Sequence, residues 1–225
     1  MKKNWLWAVC FLFLSTTLIG YFAQPPGQKE PTATYKAKEY SSLLGMTGFS
    51  DKALQTHFKL YQGYVTNTNL LYNTLSDLAA NGKNRSPEYA EIKRRFGWEF
   101  DGMRLHEAYF ENLGGKGDPD TSSPLYTQLV TDFGSYDQWK ADFIATGAMR
   151  GIGWAVLYLD PQSGQLFNTW INEHDVGHLA GGKPILIMDV FEHAYMIDYL
   201  LDRAAYIEAF FKNINWDTVN QRYSP

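Results

Sequence analysis

Five histidines stand in the 225-residue chain, and the chemistry open to it turns on how they are spaced. His193 follows Asp189 by four residues, so the two side chains share one face if that stretch turns helical. Just before them, Ile185, Leu186, Ile187 and Met188 form a short apolar run bounded by Pro184, which reads as a buried strand. A strand that delivers a carboxylate and an imidazole into one small apolar volume is costly unless something pairs with them. Two readings stand at this point. Asp189 could cap a helix with His193 as a hydrogen-bonded neighbour, or the two could be half of a metal site. His57 and His106 lie far upstream, each on a segment of helical periodicity. Three neutral imidazoles and one carboxylate would suit a first-row transition metal such as iron or manganese, and zinc also fits on ligand type. His174 and His178 are again four apart, but their segment lacks the glutamate placement of a zinc-protease helix.

The elements around these residues decide whether they can meet. Ser50 is a candidate N-cap for a long helix in which Leu54, His57, Phe58, Tyr61, Val65, Thr68, Leu71 and Tyr72 recur at spacings of three and four. Tyr64 falls two turns beyond His57 on that same inward face. Pro87, after Ser86, opens a second helix to about residue 113, with Ile92, Phe96, Glu99, Met103, His106 and Phe110 as its inward stripe. The short connection at 80–85 folds the two into an antiparallel hairpin able to bring His57 to His106. A Gly- and Asp-rich loop at 114–120 then marks a boundary. Beyond it, helices are expected at 124–133 and 136–149 and strands at 154–159, 166–170 and 185–188, the first two joined as a hairpin. Two terminal helices, at 191–201 and 204–213, close a chain of α+β class.

Composition narrows the function. The net charge of -4 argues against a nucleic-acid partner. The single cysteine, Cys10, rules out an internal disulfide and a multi-cysteine zinc site. After Lys2 and Lys3, an apolar run from Trp5 to Ala23 comes close to the ~20 residues that span a bilayer. It reads as a signal peptide or a signal anchor over residues 1–23. Bulky Tyr21, two positions before Ala23, favours the uncleaved anchor. Either way the rest of the chain is exported, to the periplasm or another extracytoplasmic space. Pro25, Pro26 and Pro31 make residues 24–34 an extended tether, within a linker drawn to residue 48. A hairpin domain over 49–113 and a mixed domain over 114–225 follow.

From about residue 54 to 216 the sequence resembles the iron/manganese superoxide dismutase family. The most specific piece is Asp189-Val190-Phe191-Glu192-His193-Ala194-Tyr195, close to the family signature Asp-x-Trp-Glu-His-Ala-Tyr. Phe133-Gly134-Ser135, Gly151-Ile152-Gly153-Trp154 and Ile214-Asn215-Trp216 stand around it in family order. The resemblance implies a helical hairpin packed on a layer with a three-stranded antiparallel sheet and flanking helices. It implies one iron or manganese ion per subunit, iron favoured, held by His57, His106, Asp189 and His193 with a solvent molecule as fifth ligand. Superoxide would be the substrate, Tyr64 the gate tyrosine and Trp154 an aromatic wall. Glu192 would reach across a homodimer, or a dimer of dimers, to the ligand histidine of the other subunit. Some family members orient the bound solvent from the helix turn before the second histidine, where this chain has Gly102. Others do so from the sheet region, where His174 is the expected residue and His178 is read as structural.

Departures from the family fall on the gate and leave the ligands intact. Tyr61 stands where a second histidine is common, Met196 replaces a tyrosine whose usual partner is that histidine, and Phe191 replaces tryptophan. The alternatives are an exported metal-binding protein of this fold with weak or no dismutase turnover, and a hydrolytic zinc enzyme.

Overall fold

Four serines start the first four long helices, each for the same reason. A serine Oγ satisfies a backbone N–H that the first helical turn leaves unpaired. Ser50 accepts from Ala53 N (3.1 Å) at the head of α1, Asp51–Ala80, and Ser86 accepts from Tyr89 N (3.1 Å) at the head of α2, Pro87–Glu111. Ser123 and Ser135 do the same for α3, Pro124–Phe133, and α4, Tyr136–Gly147. These ranges come from a computed structural model, which describes residues 35–223. The apolar leader at 1–23 and the tether at 24–34 lie outside the described residues.

α1 and α2 form the expected antiparallel hairpin, and the mixed half supplies the sheet. Strands β1, Gly153–Leu159, β2, Leu166–Asn172, and β3, Lys183–Asp189, pair antiparallel in the order β2-β1-β3. β1 is central and buried along nearly its whole length, which matches its run of apolar residues without alternation. In register, Trp154 of β1 faces Asp189 of β3 and Ile171 of β2. The register alone therefore sets Trp154 beside Asp189 and close to the loop that leaves β2. Helices α5, Glu192–Tyr199, and α6, Arg203–Lys212, follow, and α7, Trp216–Tyr223, closes the described chain.

Three expectations need correction. The linker drawn to residue 48 is not free over 35–48. Asn69 pairs with both backbone groups of Tyr35 (2.9 and 2.8 Å), Lys38 N donates to Tyr61 Oη (3.0 Å), and Leu43 and Phe49 are buried. Their apolar surface is what fastens this stretch to the hairpin. The halves at 49–113 and 114–225 share one core, in which Leu54, Met103 and Phe110 pack in the same cluster as Trp154, Ile187 and Phe210. Helix α7 was not foreseen, because its eight residues hold only two buried ones, too few to show a period. Smaller shifts are at element ends: α4 stops at Gly147, β2 runs on to Asn172, and α5 starts after Phe191, which is extended at φ -65°, ψ 152°.

Asn112, just past the end of α2, ties the layers together. Its Nδ2 donates to Ile187 O (3.1 Å) and its Oδ1 accepts from Ile187 N (3.0 Å). The side chain thus substitutes for a neighbouring strand along β3, two residues before Asp189.

Candidate metal centre

Each donor comes from a regular element whose own packing fixes it. His57 sits a turn and a half into α1, with its ring edge-on to Phe110 at 4.9 Å. His106 lies late in α2, fully buried, and its Nδ1–H donates to Gly102 O at 2.6 Å. A carbonyl can only accept, so Nε2 of His106 is left bare and turned to the interior. Asp189 ends β3 and His193 lies on the first turn of α5, four residues on. The Nε2 atoms of His57 and His193 are each 3.1 Å from Asp189 Oδ2, and that of His106 is 3.6 Å away. All four donor atoms fall within 4.8 Å of one another.

The three distances to Asp189 fit a shared ion. Donors about 2.1 Å from one centre and about 90–120° apart are spaced about 3.0–3.6 Å. A second observation agrees. Nε2 of His106 is buried without any hydrogen-bond partner, a defect that costs about 1–3 kcal/mol unless something fills the position. Burial is the largest influence on both inner imidazoles and holds His57 below the usual histidine range and His106 well below it. Both are therefore neutral and able to ligate. Burial alone would push the Asp189 carboxyl up, yet His193 and His57 outweigh it and hold it well below the carboxylate range. Neutral imidazoles with one carboxylate are the donor set of iron and manganese, with zinc admitted on ligand type.

The remaining contacts of Asp189 orient it. Oδ1 accepts from Phe191 N (2.9 Å), so the capping role first considered for this residue survives as a bond to the residue before α5. Its backbone oxygen accepts from Tyr206 Oη (2.6 Å), which also meets Tyr109 Oη at 3.1 Å. Supports of this kind around a ligand typically change metal affinity by about 10–100-fold.

Opposite the donors stands a second cluster. Tyr64 stacks on His106 at 4.9 Å, and its hydroxyl lies 2.8 Å from Nε2 of fully buried His174. Trp154 donates its indole N–H to His174 Nδ1 (3.1 Å). Indole is only a donor, so Nδ1 carries no hydrogen, and the one hydrogen of the neutral ring sits on Nε2 and goes to Tyr64 Oη. Burial pulls the His174 pKa down to about 4, which keeps the ring neutral. Burial also pushes the Tyr64 phenol up, which keeps it protonated. Phe191 closes the wall, stacked on His174 at 4.7 Å and on His193 at 5.0 Å. A Cβ at Gly102 would come within 2.7 Å of the Tyr64 ring, so this turn of α2 has no room for a side chain beside the gate.

Thus Tyr64, His174 and Trp154 lie with the donors, whereas Glu192 does not. It is exposed on α5, and its side chain has no hydrogen bond or ion pair among the described residues. The position of the missing histidine, Tyr61, bonds inward to Glu107 Oε1 at 2.9 Å, and Met196 is exposed. Sequence reasoning missed Trp98, whose ring lies 4.4 Å from His174 and whose N–H donates to Glu173 Oε2 at 2.9 Å. The spacing of four that links Trp98, Gly102 and His106 on one helical face could have revealed it.

Comparison with known proteins agrees with this geometry. Residues 121–222 match the family model for iron/manganese superoxide dismutases, C-terminal domain. An iron superoxide dismutase of Aquifex pyrophilus is 37% identical over 193 residues, covering 83% of this chain and 89% of the relative. An iron superoxide dismutase of Cupriavidus metallidurans is 36% identical over 184 residues, covering 80% and 90%. A manganese superoxide dismutase of Halobacterium salinarum is 36% identical over 170 residues, covering 74% and 82%.

Proposed function

The chain belongs to the iron/manganese superoxide dismutase family, and we infer that its four-donor centre carries out dismutation of superoxide to dioxygen and hydrogen peroxide. The observation that carries this is the buried, partnerless Nε2 of His106 converging with His57, His193 and Asp189. A bound iron or manganese ion supplies one-electron exchange: one superoxide is oxidised to dioxygen, and a second is reduced and leaves with two protons as hydrogen peroxide.

The chain's own residues do the rest. A single carboxylate, Asp189, leaves a divalent or trivalent ion with net positive charge, which draws the anionic substrate inward against the -4 charge of the whole protein. His174 gives its one hydrogen to Tyr64 Oη, so the hydrogen of Tyr64 itself is free for substrate or solvent in the cavity. His174 acts on the bound solvent through Tyr64. Trp154 fixes the tautomer of His174, and Phe191 and Trp154 keep the wall apolar against bulk water.

Iron is placed first because the 37%- and 36%-identical relatives above are iron enzymes, with a manganese enzyme close behind. A homodimer or dimer of dimers joined at the α5 face is supported by exposed Glu192 beside His193 and by exposed Met196 and Ile197 on the same helix. Export, with anchoring if the leader is kept, is supported by Lys2 and Lys3 before the apolar run from Trp5 to Ala23. Among the described residues, no helix is long and apolar enough to cross a membrane.

The test is the full chain loaded separately with iron, manganese and zinc, with metal occupancy and superoxide turnover measured together. Turnover with iron or manganese and none with zinc is expected. Full occupancy with negligible turnover for both redox metals would overturn the enzyme reading and leave a metal-binding protein. Hydrolysis of an ester or peptide substrate dependent on zinc, with no superoxide turnover under any of the three metals, would turn it into a hydrolase.

A further inference from the structure

His174 is carried by a short, strained loop between β2 and β3. Glu173 stands at φ 51°, the left-handed region that is strained for a non-glycine residue. Gly177 stands at φ 108°, and a Cβ there would meet Trp170 O at 2.8 Å. Backbone bonds between Asn172 and Val176 (2.8 and 3.3 Å) close the base of the loop, and they leave the carbonyl of His174 to be held by something else.

That carbonyl is held by His178. Its Nε2 lies 2.8 Å from His174 O, and because a carbonyl only accepts, this nitrogen carries the hydrogen. In the neutral ring Nδ1 is then the acceptor, filled by the hydroxyl of Tyr158 at 2.6 Å. Tyr158 is nearly fully buried on the central strand, and Asp101 of α2 faces the same Nε2 at 3.7 Å. Tyr158, which grips His178, thus belongs to the rigid core. We propose that His178 is a positioning residue of the dismutase site: through the carbonyl of His174 it holds that imidazole in hydrogen-bond register with Tyr64, while Tyr158 holds His178 in the one tautomer that can do so. The role in turnover rests on the dismutase reading above. The positioning itself does not, and it can be read without turnover.

The experiment compares the full chain with His178→Leu, His178→Gln and Tyr158→Phe. Glutamine can donate to the carbonyl and accept from Tyr158 at once, and leucine can do neither. The readout is the Nε2–H proton of His174 in the metal-free chain by nitrogen-15-edited NMR, with turnover of the metal-loaded proteins alongside. In the parent this proton should be protected from solvent and sit on Nε2. In His178→Leu it should exchange at least about tenfold faster, and turnover should fall while metal occupancy is kept. His178→Gln should restore both. Parental protection in His178→Leu, or loss of protection in His178→Gln equal to that in His178→Leu, would overturn the assignment. Should the leucine variant not fold, Tyr158→Phe decides: faster exchange of the His174 proton supports the assignment and parental exchange contradicts it. A parent chain with full metal and no turnover would sink the dismutase reading while the proton signature still tests His178.

Discussion

His106 and His174 lie 5.9 Å apart ring to ring, yet they are held by different kinds of structure. His106 sits inside a 25-residue helix, braced by the carbonyl one turn earlier and by the packed rings of Tyr64 and Trp154. His57, Asp189 and His193 likewise ride on α1, β3 and α5, and Asn112 staples the end of α2 to β3. His174 rides on a strained loop whose place depends on a few side-chain bonds: Trp98 to Glu173, Trp154 to the imidazole, and His178 to the carbonyl. The donors need fixed mutual distances, which regular elements give. The gate needs only a correctly placed hydrogen, which a loop can supply when a few strong contacts aim it.

Breaking the rigid side should have the largest effects. His106→Ala removes the donor that has no other partner and should reduce metal occupancy to background in elemental analysis; near-parental occupancy would refute its place in the site. Asn112→Ala leaves both backbone groups of Ile187 unpaired in a buried place and should cost about 2 kcal/mol or more in chemical denaturation. A loss well below that would show that β3 is held by the sheet alone. On the loop side, His174→Ala should keep the metal and lower turnover about tenfold, less than the loss of about 10²–10⁴-fold for a residue that itself transfers the proton, because His174 acts through Tyr64. Loss of metal instead would erase the distinction between the two regions.

Acid sensitivity sharpens the electrostatics of the rigid side. His57 and His106 have folded-state pKa values below the ordinary histidine value, so below about pH 6.5 the unfolded chain binds protons that the folded, metal-free chain refuses. The depressed Asp189 acts with the same sign at lower pH. Stability of the metal-free chain should therefore fall on acidification from pH 7 to 5, by at most about 1.4 kcal/mol per group per pH unit. Stability that is flat or rises on acidification would contradict the neutral, buried state of these imidazoles.

The same contrast explains what the sequence disclosed. His57, Tyr64 and His106 were legible because helical spacing puts them on inward faces, and Asp189 and His193 because an apolar run ends on them. The strands were placed to within a few residues, since β1 and β3 are continuous apolar runs. The contacts of the loop were not legible. Nothing in the spacing of Tyr158 and His178, twenty residues apart on a strand and a loop, signals their bond. Asn112 looks like any polar residue at a helix end until β3 is seen beside it. The packing of residues 35–48 was hidden for a similar reason, because its anchors, Leu43 and Phe49, lie in a stretch broken by Gly45 and Gly48 that shows no helical or strand period. At Tyr61, where the family often carries a second histidine, the bond inward to Glu107 has no sequence signal either.

One measurement bears on the central claim most directly: elemental analysis of the protein purified from its native source, paired with superoxide turnover on the same sample. The account predicts close to one iron or manganese per chain and turnover proportional to that content. A fully metallated sample without turnover, or turnover independent of bound iron and manganese, would contradict it.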